Sequence, residues 1–317
     1  MSHLLLLGAG FSKNWGGLLA SEVRADLAAR LQKHRNLSEL LHRCDGFEDA
    51  LGTLQRDYRN APTPENKARL AALRDALQAT FGAMNASFAE RGHLAFCPDV
   101  RFSVVHFLTR FDAIFTLNQD LLLELLYAPQ MPLARPAVFN SVYFPGMVPH
   151  GDWQYNTAVA WTPSGEFVPP HHSQPVFKMH GSTNWVEQPQ GGGILIMGDA
   201  KAGAIDASPV LRFYREEFLR LLSQRGAKLM VIGYGFRDDH INDLICRARE
   251  TNPFMIYLVR PSGRAHLRNI NPTSRAAIYA VRPIEDIPIV DFMNPLRNTF
   301  DGNDPYDHQR LCQFFDD

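Results

Sequence analysis

Apolar residues fall along this chain in two rhythms. In the first, short continuous runs stop at glycine or at a polar cluster: LLLL at 4–7, DAIFTL at 112–117, VFKM at 176–179, LMVI at 229–232 and FMIYLV at 254–259. Such runs, bounded by turn formers, are the pattern of strands buried on both faces of a parallel sheet. In the second rhythm apolar positions recur every three or four residues, which predicts helices over 18–33, 208–224 and 239–250. The same spacing runs through about 34–92 without a convincing strand. The RNAPTPEN break at 59–66 divides that stretch, and its prolines start the second helix.

Strands alternating with helices predict an α/β fold with a doubly wound, mostly parallel Rossmann-like sheet, in which ligands gather beyond the carboxyl ends of the strands. The expected organisation is a core over 1–260, interrupted by a helical insertion at 34–100. A C-terminal extension over 261–317 then packs on the core or on a partner. The insertion either caps a pocket or makes a subunit interface. Between 130 and 175 proline, glycine and aromatics dominate, and NTAVAW and GEFVPP flank a Pro-Ser-Gly turn at 163–165, which suggests a hairpin or long loop. Further strands are expected at 193–197 and 276–281, a helix begins near 120, and a short helix covers 306–315.

Apolar residues make up 45% of the 317 and charged residues 21%, which places the chain among globular proteins. A formal net charge of −1 gives no general reason to expect a nucleic-acid or anionic-membrane partner. No apolar run approaches a membrane span, and the four cysteines show no paired spacing for a disulfide framework or a structural zinc. A reducing cytoplasm is the simplest expectation.

Four segments at predicted strand ends carry candidate chemistry. After the opening strand, Gly8-Ala9-Gly10-Phe11-Ser12 permits a tight turn and a close approach of a diphosphate to backbone amides, with Ser12 a phosphate contact or a helix cap. No GxGxxG fingerprint with a ribose-binding acid follows, which disfavours ordinary hydride-transfer dehydrogenases. Thr116-Leu117-Asn118-Gln119-Asp120 ends the second strand. Asn118 can orient water or a ribose hydroxyl and Asp120 can accept from a carboxamide, or either caps the next helix. His180, in KMHGSTNW, projects from a strand end as a base, or is one of twelve histidines with a structural place. Gly233-Tyr234-Gly235 forms a second glycine turn for ribose or phosphate, and Asp238 or Asp239 caps the helix beyond it. Asp239 and His240 are adjacent on a helix and do not face a common ion, so no metal is expected.

Taken in this order, the four segments resemble the sirtuin fold, and in particular the sirtuin-like NAD+-consuming domains of bacterial anti-phage defence systems. The resemblance covers about 1–30 and 102–260. It implies NAD+ as substrate, with His180 as base, Asn118 positioning water or ribose hydroxyls, Asp120 at the nicotinamide carboxamide, and the turns at 8–12 and 233–235 holding diphosphate and adenosine. Protein-deacylating members carry a four-cysteine zinc module and an Ile-Pro-Asp-Phe-Arg segment after the first turn. This chain lacks the module and reads Gly16-Gly17-Leu18-Leu19 instead. The implied activity is an NAD+ glycohydrolase, regulated as an NAD-depleting effector. The alternatives are an NAD-dependent deacylase or ADP-ribosyltransferase, and a non-catalytic NAD+ or ADP-ribose sensor. The resemblance also implies a homo-oligomer or a partner such as an ATPase, an Argonaute or another phage-sensing subunit, with no direct nucleic-acid or membrane contact.

Overall fold

The computed structural model describes residues 2–44, 46–133, 139–150, 159–187, 192–195, 201–263, 265 and 284–316. Seven strands make one sheet: β1 (His3–Leu7), β2 (Ala113–Thr116), β3 (Ser141–Tyr143), β6 (Ser173–Lys178), β9 (Lys228–Ile232), β10 (Ile256–Val259) and β11 (Ile289–Phe292). They lie in the order β11-β10-β9-β1-β2-β6-β3, and every pairing is parallel. The remaining strands, β4 (Met147–Pro149), β5 (Trp161–Pro163), β7 (Gly181–Glu187) and β8 (Gly192–Leu195), form a smaller mixed sheet.

The leucines of β1 are fully buried on both faces of the sheet, and the strand sits at its centre with a neighbour on each side. From β1 the chain builds outward through β2 and β6, then returns to place β9 and β10 on the other side. The order therefore reverses at β1, which opens a crevice beyond its carboxyl end. Register aligns the strand ends: Leu7 pairs with Thr116 and with Ile232, Thr116 with Lys178, and Ile232 with Val259. Asn118, His180 and the glycine turns at 8–10 and 233–235 follow these ends, and that alignment brings them to one level.

Helices α1 (Ala9–Lys13) and α2 (Ala20–Arg30) lead into the insertion, which consists of α3 (Arg35–Arg43), α4 (Phe47–Asn60) and α5 (Pro64–Arg91). Thr63 caps α5 by accepting from the Asn66 amide, Pro64 occupies its first turn, and Gly92 ends it with φ of 69°. The helical reading of 34–92 therefore holds. Helix α6 (Val104–Leu108) precedes β2, and α7 (Lys201–Ala207), α8 (Pro209–Leu222) and α9 (Asp239–Thr251) follow the small sheet and β9. None of the helices among the described residues is long and apolar enough to cross a membrane.

The tail contributes more than its composition suggests. Strand β11 falls in a proline- and asparagine-rich stretch that carries no strand expectation, yet it pairs with β10 at the sheet edge. Beyond it come α10 (Leu296–Thr299) and α11 (Pro305–Cys312). Phe314 and Phe315 then pack on His3 and Phe111, and Lys228 donates to the carbonyls of Phe314 and Asp316. His3 and Lys228 begin strands, so the tail closes the end of the sheet opposite the crevice.

Other expectations differ in detail. Strand β5 pairs with β4, antiparallel, and with β7, parallel, in place of the GEFVPP segment, whose Phe167 ring packs against Gly146. The helix expected near 120 is a single π-helical turn at Leu123–Tyr127. The strand expected at 276–281, part of NTAVAW and residues 196–197 lie outside the described residues.

Candidate active site

The two glycine turns are packed against each other. Gly8 donates its amide to Ile232 O at 3.0 Å and Gly10 to Gly233 O at 2.9 Å, while the Phe11 amide returns to Gly8 O at 2.8 Å. Gly233 has φ of 67°, and a Cβ there would stand 2.3 Å from the Phe11 nitrogen; one on Gly8 would stand 2.6 Å from Tyr234 Cα. Glycine is thus required at 8, 10 and 233 for turn-on-turn contact, independently of any ligand. Gly235 is different, since its nearest neighbour for a Cβ is an Arg260 side-chain atom at 3.8 Å.

Asn118 stands beside the first turn and joins it to the end of β2. Its side-chain nitrogen donates to Gly8 O and to Ser12 Oγ, both at 3.0 Å. Both amide hydrogens are thereby committed, which leaves Oδ1 as an acceptor not used in these two bonds. Ser12 is buried and in turn donates to the Asp120 carboxyl, which also accepts from the Leu122 amide at 3.1 Å. Burial pushes the Asp120 carboxyl above the usual carboxylate range, against the opposing pull of the Lys178 ammonium and of those two hydrogen bonds. Asp120 therefore ends a chain that runs Asn118–Ser12–Asp120 and does not cap the π-helical turn, whose N-cap is Leu122 with no side-chain cap bond.

Beneath this chain lies a buried ion pair. Lys178 Nζ, 1% exposed, donates to Glu124 Oε1 at 2.6 Å, to Asp120 O at 2.6 Å and to Ser182 Oγ at 2.7 Å. Three acceptors satisfy the three ammonium hydrogens, which a buried lysine requires. Burial raises the Glu124 pKa, with Lys178 opposing the shift. Ser12, Asn118, Asp120, Glu124 and Lys178 line one small recess together with the end of β1.

His180 sits in the turn between β6 and β7, where Gly181 takes φ of 75°. Gln119 fixes its backbone by donating to His180 O at 3.2 Å and by accepting from the Thr183 amide. The imidazole is buried, and its Nε2 lies 3.0 Å from Nε2 of His240 in the first turn of α9. A carboxylate oxygen of Asp238, the residue preceding α9, completes a group whose ligand atoms all lie within 4.8 Å of one another. Asp239 and His240, adjacent on the helix, are not the pair that meets here. Asp238 replaces Asp239 in the cluster, and His180 joins from a different strand end.

The loop holding Asp238 and His240 is built on Tyr234 and Asn242. The Tyr234 hydroxyl accepts from the Asp238 amide at 3.1 Å and lies 3.1 Å from Asn242 Oδ1, while Asn242 donates to Phe236 O. Phe236, fully buried, is held at φ of 52°, a costly conformation for a bulky residue.

The structure thus gathers Gly8, Ala9, Gly10, Phe11, Ser12, Thr116, Asn118, Asp120, His180, Gly233, Tyr234 and Gly235 at neighbouring strand ends. Lys178, Glu124, Gln119 and His240 join them without having been assigned roles from sequence, and so does Asp238, expected only as a helix cap; it holds the N-cap position of α9 without a side-chain cap bond. Two of these carried a signal: Lys178 in VFKM and Glu124 in LLLELL are single, opposite charges inside apolar runs. Asn85 of α5 also reaches the site, accepting from the Leu121 amide and donating to Thr183 Oγ1, so the insertion braces the crevice.

Residues 112–284, more than half of the chain, match the family model described as SIR2-like domain. No curated protein matches the chain.

Proposed function

The chain belongs to the SIR2-like family, and from that premise we propose that it is an NAD+ glycohydrolase that releases nicotinamide and ADP-ribose. The family and the parallel sheet support use of an NAD-related ligand in general. The observation that carries the finer reading is the arrangement of Asn118, whose hydrogens are tied to Gly8 O and Ser12 Oγ, which leaves Oδ1 as an acceptor at the strand end beside that of the buried His180.

On this reading the bond between the ribose C1′ and the nicotinamide nitrogen breaks, and its electron pair leaves with the ring, which becomes neutral. Positive charge develops on the ribose. Asn118 Oδ1 accepts from a water or a ribose hydroxyl and fixes its direction, and His180 takes the proton as water adds at C1′. Asp120 binds the carboxamide end and, through Ser12, keeps Asn118 in its presenting orientation. Preorganised dipoles in a water-poor crevice stabilise the charge-separated centre.

A second reading, transfer to an acylated lysine or to a protein, shares the bond-breaking step, and the family match alone favours it over hydrolysis. The missing cysteine module favours water as acceptor. Uncontrolled NAD+ loss harms a cell, so the proposal includes control by self-assembly or by a sensor partner in anti-phage defence. Incubation with NAD+, with and without an acetyl-lysine peptide, tests the acceptor by chromatography. Equal amounts of nicotinamide and ADP-ribose without peptide are expected. Nicotinamide release only when peptide is present would overturn hydrolysis.

A further inference from the structure

We propose that His180, Asp238 and His240 form an inhibitory site for a zinc-type divalent cation. The two Nε2 atoms stand 3.0 Å apart, and the rings are tilted by 42° with centroids at 5.1 Å. Two imidazole nitrogens bound to one tetrahedral zinc at ordinary bond lengths are separated by about 3.3 Å. The pair therefore needs a shift of only a few tenths of an ångström to share an ion. The Asp238 carboxylate, within 4.8 Å of both, closes by a side-chain rotation, and water takes the fourth position.

Donor chemistry selects the class of ion. Two imidazoles and one carboxylate suit zinc, cobalt or nickel, whereas calcium and magnesium demand mostly oxygen ligands. The backbone around both halves is held in place. Gln119 fixes His180, and the Tyr234–Asn242 pair fixes the loop bearing Asp238 and His240. Ligand-bearing segments from different elements thus meet without rearrangement of either, as a cation site requires.

An ion there occupies the lone pair of His180 Nε2. Its inhibitory role rests on the reading of His180 as the base, whereas the cation site itself does not. Bound zinc removes the base and holds the crevice inactive, so an agent that strips the metal switches the chain on.

Metal-free chain, prepared with a chelator, is titrated with zinc by calorimetry and with cobalt by visible absorption, alongside His240→Ala, His240→Gln and Asp238→Asn. Expected are one zinc per chain, a tetrahedral cobalt band, and at least about tenfold weaker binding in each variant. Circular dichroism checks that the variants are folded. No zinc binding, or binding unchanged in folded His240→Ala and His240→Gln, would overturn the site. NAD+ turnover is followed in the same samples. Inhibition at the zinc concentration that fills the site supports the regulatory role, and turnover indifferent to a filled site would overturn it. Zinc binding with no turnover even after chelation would leave the cation site standing while removing both the inhibition and the glycohydrolase reading.

Discussion

The helical insertion and the carboxyl ends of the central strands treat charge in opposite ways. In the insertion the apolar positions of α4 and α5, among them Leu51, Leu54, Leu73, Leu77 and Phe88, turn inward and the ions stay at the surface. The Arg35–Glu39 pair of α3 has its side chains 90% and 55% exposed, and the Arg69–Asp57 pair between α5 and α4 is 29% and 41% exposed. At the strand ends Lys178 and Glu124 are 1% and 3% exposed and only 2.6 Å apart. The insertion follows local helical rules at most positions, the glycines at 52 and 82 inside α4 and α5 aside. The strand ends carry buried charge, a left-handed Phe236 and glycine turns without room for a methyl group. Features that cost folding energy are concentrated where the chemistry is proposed.

The sharpest test of that contrast is to remove one charge from each region. Lys178→Met leaves Glu124 buried without its partner and should cost about 3–5 kcal/mol in urea unfolding. Arg35→Ala should cost less than about 0.5 kcal/mol. Equal effects would erase the distinction.

The glycine turns offer a narrower test. Gly233→Ala places a methyl group against the Phe11 nitrogen in a left-handed backbone and should cost about 2–4 kcal/mol. Gly235→Ala, two residues away, meets only an Arg260 side-chain atom at 3.8 Å and should stay within about 1 kcal/mol. In the insertion, Thr63→Ala removes one cap from α5 and should cost about 1 kcal/mol, well below the Gly233→Ala loss. Thermal or urea midpoints distinguish the three.

The same contrast explains what could be read from the sequence. Helices α2 to α5 announce themselves because their apolar positions recur with a period, strands β1, β2, β6, β9 and β10 because they are continuous apolar runs, and the four site segments because they stop those strands. Strand β11 was hidden, since Ile289–Phe292 is short and lies among prolines. The His180–His240 contact was hidden for another reason. It joins residues 60 apart that only the parallel register of β1, β2, β6 and β9 brings together, and no local spacing encodes it. The glycines were legible as turns, but their contact with each other became visible only in three dimensions.

The central claim is that the strand ends break the nicotinamide–ribose bond of NAD+ through Asn118 and His180. It is tested most directly by following nicotinamide release from NAD+ by the chain and by folded His180→Ala and Asn118→Ala variants, each first treated with a chelator. The account predicts turnover that falls at least about a hundredfold in both variants while circular dichroism shows them folded. Turnover undiminished in both, or tight NAD+ binding by the unmodified chain with no product at all, would contradict it.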